Sequence, residues 1–195
     1  MAVDLEPAAR RLADLVAGVP DGLLDAPTPC SDYCLGDLIH HVGGLALAFT
    51  AAARTDRGEA SDRRSKGDAS QLGSDWRDRI PRDLATLAEA WRDPEAWSGM
   101  TRIAGLDLPG EVTGVFALDE LVVHGWDVAK AAGQPYDCDP ISLEVVHNLV
   151  AQFCGPGMDQ QRQGLFGPEV TVSEDAPLLD RVIGMTGRGP NWSAA

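Results

Sequence analysis

Apolar residues recur at helical spacing through four long segments of this chain, and that spacing restricts its fold more than anything else in the sequence. In the first segment Leu5, Ala9, Leu12, Val16 and Val19 fall three or four residues apart, which predicts a helix over 7–19 that Pro20-Asp21-Gly22 ends. A second helix is expected over about 35–54, with Leu38, Val42, Leu45 and Phe49 on one stripe. Ser74-Asp75 can cap a third that reaches residue 91, where Pro81 marks a kink or a later start. The fourth, from 109 or 110 to 132, has Pro109 at its beginning and Gly133 just past its end, the usual asymmetry of helix termini. A fifth helix over 141–153 and a short one over 176–186 complete the set, with short strands expected at 100–103, 106–108 and 169–172. Residues 94–110 otherwise read as irregular, and 155–164 as a breaker-rich loop. No strand, glycine-rich loop and helix follow one another, which argues against a nucleotide-binding α/β fold. The expected class is all-α, a four-helix bundle with a short C-terminal extension. The 195 residues are expected to form one domain, 1–195, with 155–195 as an extension packed on it.

Charge narrows the partners. Thirty acidic against 16 basic residues leave a formal charge of -14, the wrong sign for a phosphate backbone or an anionic membrane surface. No run approaches the ~18 apolar residues of a membrane helix, and MAVDLEPAARR has no apolar signal core. The expected location is therefore the cytoplasm. There Cys30, Cys34, Cys138 and Cys154 are expected as thiols and small buried hydrophobes. Asn191-Trp192-Ser193 matches a glycosylation acceptor only by chance on this reading. Residues 55–72 are polar and read as a loop or frayed helix end. Gly43 and Gly44, inside the second helix, point to close approach of another helix or a ligand, since interior glycines each cost about 1 kcal/mol relative to Ala.

Two apolar stripes carry polar residues. In DELVVHGWDVA the inward stripe of the fourth helix is Ala117, Leu121, His124 and Val128, with Glu120 adjoining. Glu120 and His124 are four residues apart, so their Cβ atoms lie about 5–6 Å from each other on one face. In GDLIHHVGG, His41 falls on the stripe of Leu38, Val42 and Leu45, whereas His40 lies with Asp37 and Gly44 toward the periphery. If these two helices face each other, His41, Glu120 and His124 converge as a three-ligand set with open positions, the form of a catalytic divalent site. A satisfied polar pair in an ordinary core remains the alternative. Trp126 faces away and reads as packing. Asp127 either orients a ligand from behind or pairs locally. In the last helix, an ion pair of Asp180 and Arg181 is the simpler reading, and Arg181 or Arg188 holding a substrate carboxylate the less simple one.

Three blocks, PTPCSDYCLGDLIHHVGG, LDELVVHGWDVAKAAGQ and FGPEVTVSEDAPLLDRVIGMTGRGP, resemble an actinobacterial family similar to the N-terminal, metal-binding domain of mycothiol-dependent maleylpyruvate isomerase, within the DinB-like superfamily. The resemblance implies a four-helix bundle with a divalent metal at its core. It places the metal ligands at His41, Glu120 and His124, with His40 as the register alternative to His41. Tyr33 stands where the family usually carries tryptophan, and the tail is short and different from the isomerase's further C-terminal domain. The implied function is a metal-dependent S-transferase or isomerase that uses a low-molecular-weight thiol, with mycothiol the thiol the family suggests, and an electrophilic small molecule. Zinc leads for the ion, with nickel, iron and manganese sharing the donor preferences. The alternatives are a non-catalytic metal or small-molecule binder, and an interaction module with a vestigial site. A homodimer is compatible with each.

Overall fold

The computed structural model describes residues 2–56 and 65–194, so part of the 55–72 segment lies outside the described residues. Four long helices dominate: α1 (Glu6–Ala17), α2 (Leu35–Ala53), α3 (Trp76–Ala90) and α5 (Gly110–Ala131). Between the last two come a single turn, α4 (Pro94–Ser98), and a hairpin, β1 (Met100–Ile103) with β2 (Leu106–Pro109). After α5 follow α6 (Pro140–Val150), α7 (Asp159–Arg162) and α8 (Leu178–Met185).

The helix starts follow their local chemistry. Cys34 and Asp37 form a reciprocal cap at the head of α2. The carboxylates of Asp93 and Asp139 accept backbone N–H groups at the heads of α4 and α6. Pro109 opens α5, and Gly133, at φ +65°, follows its last turn. The hairpin turns on Ala104 and Gly105, both with positive φ, and pairs Met100 with Pro109 and Ile103 with Leu106.

The four long helices close a ring in which α1 packs on α3, α3 on α2, α2 on α5 and α5 on α1. Their shared core contains Leu12, Leu38, Ile80, Leu84, Leu118 and Val122. A second layer, α6 with α8 behind it, covers the outer side of α5. That layer is why α5 is buried almost all round from Ala117 to Ala129, where the sequence pattern suggested a single stripe. By length and composition α2 could cross a membrane, although polar residues interrupt its apolar run; 61% of that stretch is buried inside the bundle.

Both interior glycines of α2 sit at close approaches. A Cβ on Gly43 would meet Ile80 at 3.2 Å, and one on Gly44 would meet the Ser65 hydroxyl. The described part of the polar segment accordingly lies along α2. Ser65 Oγ donates to the His41 carbonyl at 3.0 Å, and the Ala69 N–H to Asp37 at 2.7 Å.

Three expectations need correction. Residues 169–172 are not a strand. They cross α8 at Gly184, whose carbonyl accepts one bond from the Val170 N–H at 2.9 Å, and the missing Cβ there admits Val172. The 155–164 loop contains the turn α7, held because buried Arg162 donates to the carbonyls of Phe153, Gly167 and Met185. The stretch from 94 contains α4, because Pro94 and the Asp93 cap favour a helical start. The cysteines are all free, as expected, but half-buried rather than buried.

Gly114 of α5 gives a test of this packing. A Cβ there would come within 2.6–2.8 Å of the Trp97 and Trp91 rings. Both indoles are tethered, Trp91 Nε1 to the Phe49 carbonyl at 3.0 Å and Trp97 Nε1 to the Trp91 carbonyl at 2.7 Å, so neither can move aside freely. Overpacking of about 1–3 kcal/mol then outweighs the helix-propensity gain of about 1 kcal/mol. Gly114→Ala should lower the urea midpoint, and an unchanged or raised midpoint would mean that the tryptophans yield.

Candidate metal centre

The site lies where α2 and α5 face each other. Ordinary helical spacing puts Glu120 and His124 on one face of α5, and Glu120 Oε2 lies 2.9 Å from His124 Nε2. His41 comes from α2; its ring centre is 5.1 Å from that of His124, edge to face at 83°. One donor atom from each of His41, Glu120 and His124 lies within 4.8 Å of the other two. The structure thus brings together all three residues singled out from the sequence. His40 stays outside, its Nδ1 accepting the Asp68 N–H at 3.2 Å. Tyr33 packs against the outer side of His41 with ring centres 5.1 Å apart.

Behind the trio stands a buried chain of charge. His124 Nδ1 meets Asp127 Oδ2 at 3.0 Å, and Asp127 has no exposed side-chain surface. Arg188, after α8, donates from Nε to both Asp127 oxygens at 2.9 and 3.1 Å and from Nη2 to Oδ2 at 2.9 Å. Asp127 therefore pairs with the histidine three residues before it, a contact that fits either of its two readings, and Arg188 holds this carboxylate. Trp126 is buried packing with Lys130 over its ring. Arg181 donates to the Glu174 carbonyl and lies 3.3 Å from His147 Nε2, an arrangement not expected from the sequence.

The electrostatics divide the two histidines. Burial, helped by the charge of His124, lowers His41 to about 4 and keeps it neutral. Burial would lower His124 too, but its hydrogen bonds to Asp127 and Glu120 outweigh that and raise it to about 9. Burial works to raise Glu120 and Asp127, yet both end below the ordinary carboxylate value, Glu120 through His124 and Asp127 through Arg188. Asp119 has no such hydrogen bond. Burial and neighbouring Glu120 push it up to about 8, and its Oδ1 is buried without a partner among the described residues. The half-buried Cys30 thiol is raised by burial, with the Arg188 charge opposing.

These residues suit a divalent ion. A ligating imidazole must be neutral; His41 is neutral, with a buried Nδ1 that has no partner among the described residues, whereas His124 would exchange its Nε2 proton for the ion. Ligands about 2.0–2.2 Å from one tetrahedral ion stand roughly 3.3–3.6 Å apart. The Glu120–His124 pair would need to open by a few tenths of an ångström from its 2.9 Å contact. A satisfied core pair accounts for that contact but leaves His41 Nδ1 unexplained. The centre is also reachable, because Glu120 keeps 32% of its side chain exposed. The space beside it is apolar and small, a cavity of about 10 Å³ lined by residues that include Val42, Phe49, Leu87 and Leu121.

A helical bundle with an inward histidine–glutamate–histidine cluster defines a class, and comparison with known proteins gives the family. The family model of the mycothiol maleylpyruvate isomerase N-terminal domain matches residues 5–129, and the chain belongs to that family. An uncharacterized protein found in two strains of Mycobacterium tuberculosis is 28% identical over 189 residues, covering 90% of this chain and 91% of the relative. The crystal structure of the mycothiol-dependent maleylpyruvate isomerase superposes with a TM-score of 0.66 at 16% identity, over 96% of this chain and 88% of that one. A histidine-to-alanine mutant of that enzyme gives 0.57 at 17% identity, over 78% and 71%. The likeness in fold therefore runs into the tail, the part whose sequence looked different.

Asp127→Ala should be among the most damaging single changes at this site. It leaves the Arg188 guanidinium, whose side chain is 11% exposed, without its carboxylate. Breaking a buried pair in this way costs about 3–5 kcal/mol. Urea denaturation reads the loss, and a loss below about 1 kcal/mol, the level of an exposed pair, would mean that the guanidinium reaches water.

Proposed function

We propose that the protein is a metal- and thiol-dependent enzyme. It would add a low-molecular-weight thiol to an electrophilic carbon of a small molecule, ending in S-transfer or thiol-assisted isomerisation. The observation that carries this reading is the convergence of His41, Glu120 and His124 from two facing helices, one histidine neutral with a buried nitrogen that has no partner among the described residues. Family membership supports the thiol, because the matching domain is named for a mycothiol-dependent isomerase. Mycothiol is accordingly the proposed co-substrate, while the electrophile stays general.

Two imidazoles and a carboxylate form a donor set that suits zinc, and we assign zinc ahead of nickel, iron and manganese. A bound divalent ion supplies a Lewis-acidic position that lowers the pKa of a thiol. The protein's own groups do the rest. Asp127 orients the His124 ring through Nδ1, directing Nε2 at the site. Tyr33 packs against the His41 ring, and the partly exposed Glu120 would be the ligand that small molecules reach.

Metal analysis after gentle purification and zinc re-addition tests the reading. The expected result is near-stoichiometric metal in the parent and its loss in both His41→Ala and His124→Ala. Thiol-dependent turnover of an electrophile by the loaded parent is expected next. A parent that takes up no metal while remaining folded would leave a satisfied polar cluster and end the enzyme reading.

A further inference from the structure

The last described turn of the chain reaches into the centre of the bundle. Arg188 is 61 positions from Asp127 in sequence, yet Nε and Nη2 both donate to that carboxylate. Its third nitrogen, Nη1, donates to the Thr186 carbonyl at 3.1 Å. Each guanidinium nitrogen is thus engaged, and the Nε–Nη2 edge is taken by Asp127. The ion pair leaves Asp127 acting purely as an acceptor toward His124, and a ring nitrogen that faces a pure acceptor at 3.0 Å carries the proton. With Nδ1 kept protonated by Asp127, Nε2, which faces Glu120 at 2.9 Å, is the nitrogen at which an ion would replace a proton.

We propose that Arg188 is a positioning residue of the metal centre: through Asp127 it sets the orientation and tautomer of His124, so the segment after α8 completes the site. This rests on the metal-binding reading of His41, Glu120 and His124. Arg188 lies beyond residues 5–129, the stretch that matches the family's N-terminal domain, so the proposal assigns a site role outside that domain. Bidentate geometry is central to it. Lysine would keep the charge but offers a single point donor in place of the planar fork.

A second arginine supplies the control. Arg162 is also buried in the C-terminal part, but it serves backbone carbonyls of Phe153, Gly167 and Met185. Arg162→Lys therefore loosens the same region without touching the chain from Arg188 to His124.

Zinc affinity, measured by competition with a chromophoric chelator, decides the matter for the parent and for Arg188→Lys, Asp127→Asn, their double variant and Arg162→Lys, with a thermal melt of each. Arg188→Lys should weaken zinc about 10–100-fold, the usual effect of losing support behind a metal ligand. The double variant should bind no more weakly than Asp127→Asn alone, because both changes act through one path. Arg162→Lys should lower the melting temperature and leave zinc affinity as in the parent. Equal zinc binding by Arg188→Lys and the parent would overturn the proposal. So would equal weakening by Arg188→Lys and Arg162→Lys, which would mark general loosening. If Arg188→Lys does not fold, Asp127→Asn compared with Arg162→Lys separates the same two outcomes. A parent that binds no zinc fails at the earlier step and removes the metal reading and this inference together, whereas a zinc-binding parent with unaffected variants removes this inference alone.

Discussion

Asp127 carries a carboxylate with no exposed side-chain surface, and the arrangement around it follows from that fact. A charge so placed is tolerable only beside an opposite charge with good hydrogen-bond geometry. The helix that holds it supplies only His124, which Asp127 shares with Glu120. The cation comes from Arg188, which arrives only if α6 and α8 form their layer on α5 and the chain after α8 turns back inward. Arg162 ties the same part of the chain together apart from Asp127, gripping the carbonyl of Met185, the last residue of α8, together with those of Phe153 and Gly167. The polar centre and the C-terminal packing therefore depend on each other. The carboxylate needs the arginine, and the arginine is presented by a segment with few large apolar groups of its own.

Much of the bundle was legible because it is local. The 3.6-residue period, Pro109 and Gly133 as punctuation, and the glycines of α2 are properties of short windows, and the helices they imply are present. His41, Glu120 and His124 were legible for a related reason: each is a polar residue on or beside an apolar stripe, and two such stripes pack face to face. What escaped was non-local. Arg188 was read only as a candidate for a substrate carboxylate, because no window containing it contains Asp127. The one available hint was that Asp127 lies three residues beyond His124, on a face shared with it. Asp119 was missed because the pattern of α5 suggests one buried side, and only the outer layer of α6 and α8 removes the other from water. The 169–172 stretch misled because alternating valines suit a strand, whereas here they serve an extended passage over a glycine of α8.

The family match and the fold likeness differ in extent, and the site bears on that difference. The N-terminal domain model ends at residue 129, just beyond Asp127. The structural likeness continues over 96% of the chain. At 16% identity this likeness concerns the path of the backbone and says nothing of the chemistry performed. Even so, all three candidate ligands lie within the matched part, while the group that braces one of them lies in the remainder. A bundle cut at the boundary of the match would keep His41, Glu120 and His124 and leave Asp127 buried without its counter-charge.

The contact between Glu120 and His124 can be read as a finished pair or as a waiting one, and charge separates the two readings. His124 sits between two carboxylates, Glu120 at 2.9 Å and Asp127 at 3.0 Å, and they hold its proton against the effect of burial. A pair that merely satisfied the core would be complete at that point, with nothing required of α2. Yet His41 faces the same point from α2, neutral and with a buried nitrogen that no group among the described residues meets. Adding a second imidazole to a cationic histidine gains nothing in hydrogen bonding, because the acceptors of that histidine are already used. An ion in place of the His124 Nε2 proton would give His41, Glu120 and His124 a common partner. The positive charge between the two carboxylates would be kept, and the orphaned nitrogen of His41 would acquire a reason to be there.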